Sequence, residues 1–191
     1  MKLEIKLPFQ SKSSKPRAYL DENALHDYAV KALGRHMRTE SELRRLMEQR
    51  VEPGERGAEI ISAVVKRLRE YGYLNDVAFA ETYVRLRQEN EKLGERRVRN
   101  DLRQKGVRTD LIEEAVNARY GGSDEELLVR KHLERKRIAK PANEKEAARV
   151  MRRLVTAGFS TATIYKVLRR WDVPDEALSG LESIEDETHE E

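Results

Sequence analysis

Lys105-Gly106-Val107-Arg108-Thr109-Asp110-Leu111-Ile112 is matched, at an offset of 52, by Ala157-Gly158-Phe159-Ser160-Thr161-Ala162-Thr163-Ile164. In both stretches a glycine follows a helical run, an apolar residue comes next, a threonine stands two further on, and helical periodicity then resumes. The physics of a helix end explains this order. Gly106 and Gly158 sit where a helix C′ residue turns left-handed, a conformation glycine adopts without a Cβ penalty. Val107 and Phe159 then fold back as the apolar contact that accompanies such a turn. Thr109 and Thr161 are the N-caps this reading assigns to the next helix. A helix–turn–helix junction recurring at fixed spacing predicts a repeated structural unit.

Apolar spacing around the turns fills in the unit. Phe79-Ala80 and Tyr83-Val84 repeat Tyr28-Ala29 and Ala32-Leu33 at an offset of 51. Val98 and Leu102 mark a second helix ending at Gly106, and Leu111, Ile112, Ala115 and Val116 mark a third. In the copy before it, Leu25, Tyr28, Ala29, Ala32 and Leu33 form one stripe, Thr39 with Glu42 has capping-box spacing ahead of Leu43 and Leu46, and Ile60, Ile61, Val64, Val65 and Leu68 run to Gly72. Here Arg50-Val51 takes the place of the glycine turn, and a Pro53-Gly54 loop adds five residues. The last copy runs through Leu128, His132 and Leu133, then Val150, Met151 and Leu154, then Ile164, Val167, Leu168 and Trp171. The prediction is an all-α fold of three tandem three-helix repeats, at 23–74, 75–122 and 123–171. An N-terminal extension (1–22) precedes them and an acidic tail (172–191) follows. In the extension, Met1, Leu3, Ile5 and Leu7 alternate with charged residues in strand periodicity, with no partner strand in the sequence.

Apolar and charged residues each make up 38% of the chain, a balance that suits thin, elongated packing better than one thick core. The absence of cysteine excludes disulfides, zinc thiolates and thiol catalysis. The short apolar runs and the start of the chain suggest neither a membrane span nor a secretory signal, so a cytoplasmic protein is expected. His26, His36, His132 and His189 are scattered, which argues against a metal site, and His132 reads as a semi-buried packing residue. Gly121-Gly122 lacks the Lys and Ser/Thr of a phosphate-binding loop, and the carboxylates alternate with bases as i,i+4 surface pairs. A binding protein without cofactor or catalytic residues is the expectation.

Nine acids and no Lys or Arg lie between Asp172 and Glu191; without them, 26 acids face 38 bases, a net charge of +12 on the body. Such a body favours polyanions, whether nucleic acid or an acidic protein surface. Bases crowd the middle unit (Arg85, Arg87, Lys92, Arg96, Arg97, Arg99, Arg103, Lys105, Arg108) and continue through Lys131, Arg135, Lys136, Arg137 and Lys140 to Arg149, Arg152 and Arg153. Arg96, Arg99 and Arg103 share a helix face by spacing. The candidate contact residues are Arg44, Arg45, Arg85, Arg96, Arg97, Arg99, Arg103, Lys105, Arg135, Lys136, Arg152 and Arg153. The aromatic residues Tyr28, Phe79, Tyr83 and Trp171 fall on apolar stripes and are assigned to the core. The tail is either a solubilising segment or one that folds back on the basic face.

Gly72-Tyr73-Leu74-Asn75-Asp76-Val77-Ala78-Phe79-Ala80-Glu81-Thr82-Tyr83-Val84-Arg85 resembles the GYLDD-x-x-FA-x-x-YV-x-x-R segment of the RecX regulators of the bacterial recombinase RecA, with Asn75 for the usual Asp. Leu93-Gly94-x-x-Arg97-Val98, Leu102-Arg103-x-Lys105-Gly106-Val107 and Arg38-Thr39-Glu40-Ser41-Glu42-Leu43-Arg44 resemble further elements of that family. The resemblance implies a curved, elongated monomer of three three-helix repeats. It further implies binding to RecA filaments on DNA, with inhibition of their ATPase and strand exchange, in recombination and the SOS response. DNA itself, single- or double-stranded, is a second partner for the basic face. The rival reading is a helix-turn-helix DNA-binding protein, since each unit ends in two helices joined by a tight turn. Asp110, Glu113 and Glu114 at the start of the middle unit's third helix disfavour it, being acidic where phosphates would lie.

Overall fold

Asp21, Thr39, Asn75, Asp124, Asn143 and Ser160 each place a side-chain oxygen on a backbone N–H three residues on, so six helices start where a short polar side chain satisfies an orphan donor. The computed structural model describes residues 18–171. It contains α1 (Glu22–Arg35), α2 (Glu40–Glu48), α3 (Glu55–Glu70), α4 (Asp76–Leu86), α5 (Glu95–Gln104), α6 (Thr109–Tyr120), α7 (Glu125–Arg135), α8 (Glu144–Thr156) and α9 (Thr161–Arg169). A π-helical turn, Arg87–Glu91, continues α4 and ends at Lys92 in the left-handed region. No strand occurs among the described residues, so the fold is all-helical as expected. The alternating Met1–Leu7 segment and the acidic tail lie outside them.

Within each third of the chain the last helix packs on the two before it. The apolar side chains form two clusters. Leu25, Ala29, Leu43, Met47, Val51, Ile61, Val64, Val65, Leu68 and Leu74 close a core from α1–α3 alone. A second, continuous core runs from Phe79 to Leu168 and joins α4–α6 to α7–α9.

The repeated turns have the anticipated form. Gly106 and Gly158 have φ of +74° and +89°. Val107 N–H donates to Leu102 and Gly106 N–H to Arg103; Phe159 and Gly158 donate likewise to Leu154 and Val155, the paired bonds of a Schellman turn. Val107 and Phe159 are buried. The caps differ from expectation. Arg108 and Ser160, not Thr109 and Thr161, are the N-cap residues: the backbone is still extended at Arg108 and Ser160, and both threonines already have helical conformation. Arg108 caps nothing and pairs with Asp110 instead.

These turns also join the units. The start of α5 sits on the end of α8, with Gly94 N–H donating to Ala157 O (2.8 Å) and Arg96 N–H to Gly158 O (3.2 Å). The start of α2 sits on the end of α5, where Thr39 Oγ1 donates to Lys105 O (2.6 Å) and Lys105 Nζ meets Glu42 (2.7 Å). At the α5–α8 junction orphan backbone donors thus meet orphan carbonyls, whereas at α2–α5 the Thr39 hydroxyl takes the donor's place.

Candidate anion-binding groove

The π-helical turn and α5 carry one wall of an open groove of about 600 Å³; the end of α7 and α8 carry the other. Arg87, Arg97, Lys136, Arg149, Arg152 and Arg153 line it against only two acids, Glu91 and Asp101. Leu93, Ile138 and Ala157 add apolar surface. Arg149, Arg152 and Arg153 stand at i, i+3 and i+4 on α8, so one helix face presents all three, while the opposite face buries Ala147, Val150, Met151 and Leu154.

The two walls differ electrostatically. On the α4–α5 side, Arg87 pairs with Glu91 and lies over the Tyr83 ring at 4.6 Å, and Arg97 Nε meets Asp101 at 2.8 Å. Lys136, Arg149, Arg152 and Arg153 make no side-chain ion pair among the described residues. Six cations against two acids leave a net charge of +4, all of it on the α7–α8 side. His132, at the floor, is fully buried rather than semi-buried; its Nδ1 lies 3.0 Å from Lys92 O and its ring meets Phe159 edge-on. Burial holds its pKa below the usual value, which keeps it neutral at pH 7. Cations around a partly enclosed apolar floor attract an anion with apolar character, and low-dielectric walls strengthen that attraction.

The other predicted residues fall elsewhere. Arg44 and Arg45 line a second groove between α2 and α6 with Arg69 and Arg108, where Glu40, Glu48 and Asp76 offset all but one of the four charges; Arg44 is bonded to Glu40 at 2.8 Å. Arg99 does not join Arg96 and Arg103 on a free face: its side chain is 17% exposed and pairs with Glu95 and Glu113, tying α5 to α6. Lys105 is likewise spent on Glu42. Arg85 pairs with Glu89, Arg103 bonds to Asn100, and Arg96 and Arg135 are exposed. Arg87 and Arg149, named in the basic clusters but not among the candidate contact residues, also belong to the groove. The i, i+3, i+4 spacing of Arg149 with Arg152 and Arg153 was the signal available for the second.

Among the described residues no group of three His, Asp or Glu side chains is placed to hold a metal ion, and no helix is long and apolar enough to cross a membrane. Asp110 is exposed at the start of α6 and Asn117 is bonded to Arg99, so α6 offers little to read a DNA groove.

A family model described as RecX, second three-helix domain, matches residues 75–116. Proteins named Regulatory protein RecX are similar over longer stretches. That of Deinococcus radiodurans is 43% identical over 98 residues, 50% of this chain and 43% of the relative. Those of Mycolicibacterium vanbaalenii and Thermobifida fusca are both 33% identical, over 66% and 73% of this chain and 68% and 74% of their own lengths. A crystal structure of RecX from Lactobacillus salivarius shares the fold at a TM-score of 0.61, with 21% identity over 80% of this chain and 97% of that one.

Proposed function

The chain belongs to the RecX family of regulatory proteins, and from that premise we propose that it binds the filament formed by RecA recombinase on DNA and restrains its ATPase and strand exchange. The groove between α5 and α8 carries this reading. Its four uncompensated cations and apolar floor suit an acidic protein surface, and DNA phosphates at its rim would add to the attraction. The protein acts by occupancy rather than by chemistry, as a monomer in the bacterial cytoplasm, in recombination and the SOS response. Arg96, Arg103 and Arg135, exposed beyond the groove, extend the contact. Free DNA binds the same basic face only modestly, with an affinity that falls steeply with salt.

ATP hydrolysis by the cognate RecA on single-stranded DNA, titrated with this protein, tests the proposal. Hydrolysis and strand exchange should fall together as the protein saturates the filament. Unchanged rates at saturating protein would overturn the reading.

A further inference from the structure

We propose that residues 172–191, the acidic end of this chain, occupy the groove between α5 and α8 in the free protein and leave it when the anionic partner binds. The docking stands on the groove's own chemistry; only its consequence, competition with the filament, rests on the function proposed above.

The groove asks for an occupant of mixed character. Lys136, Arg149, Arg152 and Arg153 call for anions, while Leu93, Ile138 and Ala157 call for apolar side chains beside them. Residues 172–191 supply nine acids and no Lys or Arg, with Val173, Leu178, Leu181 and Ile184 set among them. A phosphodiester backbone would meet the charges but leave the apolar floor uncovered.

The point of exit favours the same site. The last described residue, Trp171, lines a cavity of about 410 Å³ together with Ile138, and Ile138 also lines the groove. The chain therefore leaves α9 one side chain from the groove's edge. Twenty further residues span up to ~66 Å when extended, far more than is needed to reach back. A segment tethered this closely acts at a millimolar effective concentration, so even weak docking keeps the groove occupied until a stronger anion displaces it.

The chain has no cysteine, so Ser183→Cys in the full-length protein takes a single nitroxide label. Its paramagnetic broadening should fall on the amides of Lys136, Ile138, Arg152 and Thr156 at low ionic strength. It should fade in ~1 M salt, where the Debye length is ~3 Å, and disappear in the R149E/R152E/R153E background. Circular dichroism checks that the latter variant is folded. Broadening centred on α1–α3, broadening indifferent to the triple reversal, or none at all would overturn the docking. The second arm neutralises the tail in the full chain with D175N/E176Q/E182Q/E185Q/D186N/E187Q and measures filament affinity. Competition predicts several-fold tighter binding at low salt and a smaller gain at high salt. Broadening at the groove with unchanged filament affinity would overturn the competition and place the filament on another surface. Absent broadening with filament binding lost in the triple reversal would overturn the docking and leave the proposed function standing.

Discussion

Gly158 is a glycine for two reasons. Its φ of +89° is one; the other is that a Cβ there would overlap the backbone of Arg97 at the start of α5. Gly106 has the same positive φ, and a Cβ there would press on the Ser41 side chain of α2. The conformational cost alone is about 1 kcal/mol. Overlap with a close-packed neighbour adds a further 1–3 kcal/mol or so, the larger part where that neighbour is backbone. Denaturant midpoints should therefore rank G158A well below G106A, with both below wild type. In a Ser41→Gly background, G106A should cost only about the 1 kcal/mol of its backbone term; an undiminished cost would mean the overlap plays no part. The conformational reason was legible in the sequence, because a Schellman turn is a local pattern. The close approach was not, since the partner comes from another unit. It also explains why Arg50-Val51 manages without glycine: no earlier unit among the described residues starts a helix there, and Arg50 O accepts from Leu20 N–H (2.8 Å). Long-range pairing likewise kept Arg99 out of reach of sequence reasoning. Spacing puts it beside Arg96 and Arg103, but its fate is decided by Glu113 across the turn on α6.

At the scale of elements, Glu125 fastens the start of α7 to the start of α9. It accepts from Ser160 N–H (2.8 Å), Ser160 Oγ (2.6 Å) and Thr163 Oγ1 (2.6 Å). Burial pushes its carboxyl pKa up, but these bonds, with Arg96 nearby, outweigh burial and hold it below the ordinary glutamate value of 4.5. A depressed carboxyl pKa stabilises the fold above the unfolded value and loses that effect as pH falls through the folded one. Glu125→Gln should thus cost about 1.5–3 kcal/mol near neutral pH, toward the lower end because the carboxylate is partly exposed. The gap to wild type should close as pH drops from 4.5 downward; a gap constant from pH 7 to about 3 would contradict the assignment. Helices α1–α9 were legible because their apolar stripes follow a 3.6-residue period. The π-helical turn was not: Arg87-Gln88-Glu89-Asn90-Glu91 is polar throughout and leaves no periodic trace, yet it sets Arg87 and Glu91 on the groove wall.

The whole molecule divides at α3–α4. The first core closes within α1–α3, whereas the second is shared by α4–α6 and α7–α9. The start of α2 is bridged to the later helices by polar groups: Thr39 and Glu42 to Lys105 at the end of α5, and Glu40 N–H to Asp76 at the start of α4 (2.9 Å). Such contacts hold less tightly than buried apolar surface. Native-state hydrogen exchange should therefore show α1–α3 opening at a lower free energy than α4–α9, which should exchange as one unit. Equal protection across all nine helices would contradict this division. The all-helical fold was legible, and so was the basic character of the body, but not the joining of α4–α6 to α7–α9 through one core, which gathers side chains from Phe79 to Leu168. That packing also decides which cations remain unpaired. We propose that these cations, gathered in one groove, take the regulatory target. Filament affinity of R149E/R152E/R153E, compared with K31E/R35E/K66E as an equal change of charge on exposed residues of α1 and α3, tests it most directly. The groove reversal should weaken binding by about tenfold or more, ~1.4 kcal/mol, while the control stays close to wild type. Equal losses from both variants would assign the effect to net charge and contradict the groove as the contact.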